Sequence, residues 1–509
     1  MILIGSYPVI SPCYNLVTCE PGKTFKSSGL IINKVQFVEK QRTLTGDEID
    51  DWTFVHESPK MHVHGLHNYP ARMHPPVARK AIRLFATHGD LVLDPFCGSG
   101  GVLVEAKIQG YRSVGIDINP LACLLARVKS SPLNPNTLYR EWRLLLFDIR
   151  NELRTPQISS IVKTLKKASK IEDKERKKTL VKEVKKDFQN IHINVPDFST
   201  INVFYWFKPK SIADLAVTKN CIDKIEEKEI RDFFYVCFSN TVRQVSGTRK
   251  GEFKLYRIPV DKWNDHNPDT LGTFARTVVT NIAKMGEFYE VCKRNDANNT
   301  LSLVLQSDTR KIFTSEFPKE GKEVLFEKNG DEIKGKVNLI VTSPPYGDSG
   351  TTVAYGQFSR DSLFWLGYPK EEFYDIDRVS IGGRKKEEEI NSESLDRTLK
   401  VISSKDQKRA TQVKSFFVDL NECLLHLYRI MADGGNACFV LGNRTVKRTR
   451  IPTDKIIVEL GEPIGFRCVH TFSRRIPIKR IPWKSSPTNI PGKTVNTIGE
   501  ENIIVLRKA

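Results

Sequence analysis

The stretch LVLDPFCGSGGVLVEAKIQGYRSVGIDINPLACLLARVKS, residues 91–130, decides the fold. Its first apolar run, 91–93, predicts a buried strand, and the glycine-rich turn that follows leads into a helix that ends at Gly110. A second apolar run, 113–116, predicts another strand, and Pro120 favours the start of the next helix. Strand, loop, helix, strand and helix in this order predict a right-handed βαβ unit of a parallel sheet.

The remaining sequence indicates an α/β domain that is interrupted by an insertion. A chain of 509 residues is too long for one ordinary domain. Apolar strands and amphipathic helices return near residue 300, whereas the segment between has a Lys/Glu-rich stretch and aromatic-rich pieces that predict helices. We expect an N-terminal segment at 1–58, an α/β domain formed by 59–135 and 295–509, and a mainly helical inserted lobe at 136–294.

The charge balance favours a polyanionic partner. Lys and Arg number 79 against 60 Asp and Glu, which gives a net charge of +19 and a pI of about 9.3. Nucleic acids and anionic membranes both attract such a chain. The membrane is disfavoured because no run of about 18 apolar residues occurs, and the N terminus lacks the basic and apolar regions of a signal peptide. We expect a cytoplasmic protein that acts on nucleic acid.

The rest of the composition is that of an intracellular globular protein. Hydrophobic residues make up 39% of the chain, which is enough to build a packed core. The ten cysteines are scattered, and no two form a C-x-x-C pair. The sequence therefore predicts neither a metal site nor a disulfide framework, and we interpret the cysteines as reduced thiols.

The first candidate site is the glycine loop Asp94–Gly100, which follows a predicted strand and opens a helix. Glycines let the backbone approach a ligand closely, and the N terminus of a helix is electropositive. Asp117 ends the next strand, where a carboxylate suits the two hydroxyls of a ribose. A tight turn without a ligand is the alternative interpretation. The loop also departs from the dinucleotide fingerprint, because no third glycine follows at the required spacing.

The second candidate site is the SPPY motif, Ser343–Tyr346, which follows the predicted strand 337–341 and Thr342. Open α/β sheets bind ligands at such strand ends. Consecutive prolines fix the backbone, so the Pro344 carbonyl and the Ser343 hydroxyl offer two acceptors at set angles. The Tyr346 ring adds an aromatic face, and together these groups suit a planar amine. A rigid turn with a packed tyrosine is the alternative.

Together the two motifs resemble those of the amino-methylating DNA methyltransferases, which use S-adenosylmethionine to methylate an exocyclic base nitrogen. SPPY is typical of the cytosine-N4 members, whereas adenine-N6 members usually carry Asp or Asn in place of Ser343. The resemblance covers about 60–135 and 300–509. It implies a Rossmann-like S-adenosylmethionine-dependent methyltransferase fold, with a mostly parallel sheet and helices on both faces. It also makes the inserted lobe the candidate target-recognition region.

The resemblance implies roles for residues in both sites. HNYPARM, 67–73, is similar to the first cofactor-contacting motif of the family, and Asp308 matches its acidic residue near the adenine amino group. Asp148 is a rival for that role, and we prefer Asp308. Gly101 departs from the pattern, since members often have Thr there. The implied cofactor-binding residues are Tyr69, Pro70, Asp94, Phe96, Gly98, Gly100, Asp117 and Asp308, and the implied catalytic residues are Ser343, Pro344, Pro345 and Tyr346.

The family chemistry predicts how the chain engages double-stranded DNA. The target cytosine leaves the duplex, Tyr346 stacks on it, and its amine attacks the donor methyl group without a covalent enzyme intermediate. The polar segment 347–360 is a candidate mobile loop over that base. Basic residues near the late strands are expected to contact phosphates, and base readout is expected from the inserted lobe. The predicted phosphate contacts are Arg360, Arg444, Lys447, Arg448, Arg474, Arg475, Lys479 and Arg480.

Other interpretations stay open. An adenine-N6 enzyme is one, because serine at position 343 is typical of cytosine-N4 members without being exclusive to them. An RNA amino-methyltransferase is another, although such enzymes more often have Asn before PPY. A nucleic-acid-binding protein on an inactive methylase scaffold is disfavoured by the intact motifs. Cytosine-C5 chemistry would need a Pro-Cys nucleophile and a Glu-Asn-Val acid, and we interpret Pro12-Cys13 and 501–503 as chance matches. The resemblance also suggests a prokaryotic restriction-modification system, with a restriction endonuclease that acts on the same site.

Overall fold

The computed structural model describes residues 51–312, 325–328, 331–348, 352–476, 484–485, 495–496 and 498–509. Its strands are β1 Leu91–Asp94, β2 Arg112–Asp117, β3 Ser302–Gln306, β4 Leu325–Lys328, β5 Asp331–Lys334, β6 Val337–Thr342, β7 Met431–Leu441, β8 Thr445–Val446, β9 Thr449–Arg450, β10 Phe466–Arg475, β11 Lys484–Ser485, β12 Val495–Asn496 and β13 Glu500–Lys508. Its α-helices are α1 Pro75–Phe85, α2 Gly101–Ile108, α3 Pro120–Ser130, α4 Pro135–Leu153, α5 Pro156–Lys170, α6 Lys174–Asn190, α7 Val203–Trp206, α8 Pro209–Asp223, α9 Lys228–Val245, α10 Val260–Asp265, α11 Thr270–Arg294, α12 Tyr355–Leu366, α13 Lys370–Tyr374, α14 Ile376–Val379, α15 Glu393–Ser403, α16 Gln407–Ile430 and α17 Thr453–Gly461.

The main sheet has seven strands in the order β10-β13-β7-β6-β1-β2-β3. The pairs that join β3, β2, β1, β6 and β7 are parallel, whereas β13 runs antiparallel to both of its neighbours, β7 and β10. The chain builds one half of the sheet outward from β1 and then crosses to β6 on the other side of β1. The crevice between β1 and β6 is therefore a topological switch point, where open α/β sheets bind ligands.

Alternate residues of each central strand pack on opposite faces of the sheet. Val92 belongs to the apolar cluster that includes α1 and α2, whereas Leu91 and Leu93 belong to the cluster that includes α16 and α17. Burial on both faces explains why these strands read as continuous apolar runs. Helices on both faces of a mostly parallel sheet confirm the predicted fold class.

The βαβ unit forms as the sequence predicts. Pro120 is the first residue of α3, and the Asn119 side chain caps this helix by accepting a hydrogen bond from the Leu121 amide at 3.1 Å. Gly110 ends the first crossover with a φ of 79°, which glycine adopts without strain. The local turn chemistry thus places two strand ends, Asp94 and Asp117, at the same edge of the sheet.

The insertion predicted at 136–294 is helical in the structure, with eight α-helices from α4 to α11. Its apolar core continues into α3 and α12 through Leu125, Phe358 and Trp365. Since α12 follows the SPPY motif closely in sequence, the insertion packs directly against the element next to the second candidate site. The domain boundaries at 58, 135 and 294 stay predictions, and residues 1–50 lie outside the described part of the chain.

The helix lengths and the cysteines bear on two further expectations from the sequence. Within the described residues, no helix combines the length and the apolarity needed to cross a membrane. The eight cysteines that the structure describes are free thiols, and seven of them are buried.

Candidate active site

The two sequence motifs meet at the switch point of the sheet. β1 and β6 pair in parallel, with Leu93 opposite Ile340. At the ends of these strands the Thr342 hydroxyl donates a hydrogen bond of 2.7 Å to the Asp94 carboxylate, although 248 residues separate the two. Both side chains are buried. The glycine loop and the SPPY motif therefore share one crevice, since Thr342 immediately precedes Ser343.

The glycine loop has a conformation that only glycine adopts readily. Gly98 and Gly100 have φ angles of 48° and 80°. A Cβ atom on Gly100 would lie 2.6 Å from the Cα of Ala126 in α3, so the loop packs directly on that helix. The amide of Gly98 points at the carboxylate of Asp117 and donates to it at 2.9 Å. The close turn at the start of α2 is thus held by the strand end of β2.

Asp117 accepts two backbone hydrogen bonds and remains partly exposed at the strand end. Its second oxygen accepts from the amide of Asn119 at 2.8 Å. Burial raises the pKa of Asp117 to about 6, and these two amide bonds oppose the rise. Burial also raises the pKa of Asp94 to about 7, against hydrogen bonds from Thr342 and from the Phe96 amide. Burial therefore raises the pKa of Asp94 and that of Asp117 in the same direction, toward neutral pH.

Tyr69 and Pro70 lie buried beside the glycine loop. The Tyr69 hydroxyl accepts a hydrogen bond of 2.9 Å from the Asn119 side chain. A Cβ atom on Gly98 would lie 3.8 Å from the Tyr69 ring, which stacks on Tyr355 with a centroid distance of 6.1 Å. The HNYPARM segment thus contacts the loop that the resemblance assigns to the cofactor.

The neighbours of Asp308 in the chain contact the crevice, whereas its rival Asp148 lies on an exposed helix face. The Thr309 hydroxyl donates to the carbonyl of Pro95 in the glycine loop, and the Ser307 amide donates to the Asp117 carbonyl at 3.1 Å. Asp148 is exposed on α4. These contacts place the chain on either side of Asp308 against the glycine loop and the end of β2.

The carboxylate of Asp308 is held by Arg310. The guanidinium donates to its two oxygens at 3.0 and 2.6 Å, and it also forms an ion pair of 2.9 Å with the buried Asp419. The half-buried Phe96 ring packs against the apolar cluster of this face of the sheet. The contact of Asp308 with an adenine amino group stays a prediction.

The SPPY side chains form an ordered hydrogen-bonded set. The Ser343 hydroxyl donates to the Tyr346 hydroxyl at 3.2 Å, and the Tyr346 hydroxyl donates to the Glu501 carboxylate at 2.8 Å. The Tyr346 ring packs on the backbone of Gly442, because a Cβ atom there would lie 2.7 Å from the ring. Burial raises the pKa of Tyr346 well above its ordinary value, so the phenol stays protonated and donates.

Sequence reasoning missed Glu501. It was part of a motif interpreted as a chance match, and the structure places it in β13 against the SPPY motif. Arg474, opposite Glu501 in the neighbouring β10, forms an ion pair with it at 3.4 Å. No local signal marks Glu501, because it meets Tyr346 only through the pairing of the late strands.

Two of the arginines that were predicted to contact DNA form ion pairs inside the protein. Arg444 is buried and pairs with the buried Asp348 at 2.9 Å, which fixes the turn after Tyr346. Arg474 is 4% exposed and pairs with Glu501 as described. Their contact with phosphate stays a prediction, but in this conformation their charges face carboxylates.

Three other predicted contacts are exposed to solvent. Lys447 and Arg448 form the turn of the β8–β9 hairpin, and Arg475 ends β10. Lys447 also forms an ion pair of 2.9 Å with Asp406. Both turn residues have positive φ angles, 47° and 61°, which project them from a tight hairpin. Lys479 and Arg480 lie outside the described residues. The exposed set is the described part of the predicted phosphate-binding face.

The polar segment predicted to be a mobile loop over the base is partly helical. α12 begins at Tyr355, so the prediction of a loop up to residue 360 was wrong for its second half. Arg360 lies within this helix, where its guanidinium is half-buried and pairs with Asp361 at 2.8 Å. Residues 349–351 lie outside the described part of the chain.

A stack of aromatic and basic side chains lies on the inserted lobe near α12. The Arg257 guanidinium lies 4.1 Å from the ring centroid of Tyr205 and 4.5 Å from that of Trp263, and Lys208 lies 4.4 Å from Trp263. The Nε atom of Arg257 is buried without a hydrogen-bond partner among the described residues. The amide of Leu255, two residues earlier, donates to a glutamine of α12 at 3.3 Å. Sequence reasoning noted the aromatic-rich segment that contains Tyr205, but neither Trp263 nor Arg257.

The crevice suits a ligand that carries hydroxyl donors and a flat ring. The partly exposed Asp117 can accept from hydroxyls, and the loop around Gly98 is open apart from the Tyr69 ring. Phe96, in the glycine loop, offers a half-buried aromatic ring. These residue types fit the ribose and adenine of the cofactor that the resemblance implies.

Comparison with known proteins adds the following likenesses. A family model described as "DNA methylase" matches residues 21–127. The Type II methyltransferase M.MvaI of Kocuria varians is 33% identical over 468 residues, which cover 89% of this chain and 93% of that protein. The Type II methyltransferase M.MjaII of Methanocaldococcus jannaschii is 26% identical over 63% of this chain and 64% of its own. A tRNA (guanine(10)-N2)-dimethyltransferase of Methanothermobacter thermautotrophicus is 50% identical, but over only 52 residues, 10% of this chain and 16% of that protein.

Proposed function

This chain belongs to the DNA methylase family of the N6/N4 type, and we propose that it transfers a methyl group from S-adenosylmethionine to the exocyclic N4 of cytosine in duplex DNA. The observation that carries the proposal is the hydrogen bond between Thr342 and Asp94, which joins the glycine loop to the SPPY motif in one crevice. S-adenosylmethionine, when bound, supplies a methyl group activated by its sulfonium. Asp117, Asp308, Tyr69, Phe96 and the loop glycines would hold it.

The SPPY motif accounts for the activation of the amine. The N4 lone pair of cytosine is delocalised into the ring, so the amino group is a poor nucleophile. The Ser343 hydroxyl donates its hydrogen bond to the Tyr346 hydroxyl. The lone pairs of the Ser343 oxygen are therefore available to accept an N–H hydrogen bond from the base. The Pro344 carbonyl offers the second acceptor. Two such bonds favour a pyramidal nitrogen, and the fixed backbone supplies the orientation.

Serine at position 343 supports cytosine rather than adenine as the base. Sequencing that detects modified bases, applied to DNA from a host that expresses the chain, tests this choice. We expect N4-methylcytosine at one recurring sequence. N6-methyladenine at such a sequence would replace the proposed base, and unmodified DNA would overturn the proposed function.

The type II relatives support a biological setting. We propose that the chain is the modification half of a restriction-modification system in the cytoplasm of a prokaryotic cell. Its partner would be an endonuclease that cuts the same DNA sequence, without a stable complex between the two proteins. DNA methylated by the chain would then resist that endonuclease.

The DNA would be held by two kinds of contact. The exposed Lys447, Arg448 and Arg475 suit phosphates, which position a duplex without reading its sequence. The Arg257 guanidinium, which lies against the rings of Tyr205 and Trp263, suits the two acceptors on the major-groove edge of a guanine. We propose that this stack belongs to the target-recognition region in the inserted lobe.

The two kinds of contact predict different variant behaviour. Arg257→Lys keeps the charge but loses the planar fork, so we expect about a tenfold loss of preference for the recognised sequence over one with a single changed G·C pair. Replacement of Lys447, Arg448 and Arg475 by Gln should instead lower affinity for all sequences. It should also reduce the slope of log affinity against log salt by about 0.9 for each phosphate that is no longer neutralised. Methylation rates on matched duplexes and salt titrations measure both effects.

Arg140→Gln is the matched control for these variants, because Arg140 is an arginine on α4 with 70% of its side chain exposed. It should change neither the sequence preference nor the salt slope. A uniform loss of affinity in Arg257→Lys, with preference retained, would show that Arg257 contacts phosphate. An unchanged salt slope in the triple variant would remove the predicted phosphate-binding face.

A further inference from the structure

A chain of three hydrogen-bonded side chains leads away from the amine-binding position. Ser343 donates to Tyr346 at 3.2 Å, and Tyr346 donates to Glu501 at 2.8 Å. Both hydroxyls donate in the same direction, so every bond is oriented for movement of protons from Ser343 to Glu501. The amine-binding group is therefore connected to a carboxylate that it does not touch.

The end of this chain is held rigidly. Glu501 lies in β13, and its other oxygen pairs with Arg474, which is directly opposite in β10 and is 3% exposed in its side chain. The Tyr346 ring is fixed against Gly442. Since strand pairing and packing set these positions, the hydrogen bonds do not depend on a mobile loop, and Arg474 balances the charge of the carboxylate.

The proposed reaction needs an acceptor for a proton. The lone pair of the amino nitrogen forms the new N–C bond, and the C–S bond breaks with its electron pair left on sulfur. The methylated nitrogen then carries two hydrogens and a positive charge, and one hydrogen must leave as a proton to restore the neutral product. Within the SPPY motif the Ser343 hydroxyl is too weak a base to keep that proton.

We propose that Glu501 is the terminal proton acceptor of the reaction, reached from Ser343 through Tyr346. The nitrogen gives its proton to the Ser343 oxygen, the Ser343 proton passes to Tyr346, and the Tyr346 proton passes to Glu501. The two hydroxyls are regenerated, and the carboxylate becomes a carboxylic acid that later loses the proton to water. Glu501 does not touch the base, and it acts on the reaction only through Tyr346 and Ser343. The inference rests on the proposed amine methylation, on either cytosine or adenine.

Glu501→Gln separates proton acceptance from hydrogen bonding. The amide oxygen still accepts from Tyr346 but cannot take up a proton at neutral pH. We expect the single-turnover rate of methyl transfer, at saturating cofactor and DNA, to fall about a hundredfold. Affinities for S-adenosylhomocysteine and DNA, measured by calorimetry, should stay within about twofold and also show that the variant is folded. A Gln variant near the wild-type rate would overturn the proposal.

Tyr346→Phe provides the second arm, because it keeps the ring against Gly442 and removes only the middle hydroxyl. It should slow the same step about as much as Glu501→Gln. The double variant should be no slower than either single variant, since one interrupted path cannot be interrupted twice. Losses that multiply in the double variant would show independent roles and overturn the relay. A wild-type protein that methylates no DNA base would instead refute the proposed function itself.

Discussion

Replacing Ser343 with alanine is expected to reduce the rate of methyl transfer about a thousandfold, with cofactor affinity unchanged within about twofold. The hydroxyl is the side-chain acceptor for the amine, and it also begins the hydrogen-bonded chain to Tyr346 and Glu501. Alanine removes both functions at a half-buried position and leaves the backbone in place. Preorganised groups of this kind typically contribute two to three orders of magnitude each to a rate.

The rate is measured in single turnovers on a duplex that contains the recognised sequence, and the affinity by calorimetry with S-adenosylhomocysteine. Ser380→Ala is the matched control. Its half-buried hydroxyl donates to the Ile376 carbonyl at 2.7 Å and lies in neither motif. It should retain the wild-type rate. A Ser343→Ala variant with full activity would remove this residue from the mechanism.

Asp117→Ala should lower the affinity for S-adenosylhomocysteine by a few hundredfold. The carboxylate holds the Gly98 and Asn119 amides at 2.9 and 2.8 Å and is the proposed acceptor for the ribose hydroxyls. Hydrogen bonds to a charged group contribute about 1.5–3 kcal/mol each. The loss of the two hydrogen bonds from the ribose hydroxyls is therefore enough for a decrease in affinity of a few hundredfold. Asp148→Ala, the rival acidic residue exposed on α4, serves as the control and should bind normally.

The same carboxylate predicts a pH dependence of affinity. Burial raises the pKa of Asp117 to about 6, and the ionised form is the one that accepts from hydroxyls. Wild-type affinity should therefore fall as the pH drops below about 6, whereas Asp117→Asn removes this contribution. Asp94, with a pKa of about 7, remains in both proteins as a common background. Equal affinities of Asp117→Ala and the wild type would contradict the assignment.

The sequence predicted the parts of the site that depend on local chemistry. Glycines at positive φ, a proline at a helix start and a carboxylate at a strand end each have a local cause, and the structure has Gly98, Pro120 and Asp117 in these positions. Contacts between residues that are far apart in the chain could not be predicted from the sequence. Glu501 reaches Tyr346 across 155 residues because β13 lies between β7 and β10.

Burial of charge was the second limit of sequence reasoning. Arg444 and Arg474 occur in basic runs that indicate a phosphate-binding face, yet each pairs internally with a carboxylate. Sequence shows how many cations are present but not which of them face solvent.

The most direct test of the account is the identity of the methylated nucleoside. Duplex DNA is incubated with the protein and S-adenosylmethionine that carries a deuterated methyl group, then digested to nucleosides for mass analysis. Ser343, in the crevice that the glycine loop and the SPPY motif form, predicts the label in N4-methyl-2′-deoxycytidine. Label in N6-methyl-2′-deoxyadenosine would replace the proposed base, whereas label in 5-methyl-2′-deoxycytidine, or no label in DNA, would contradict the account.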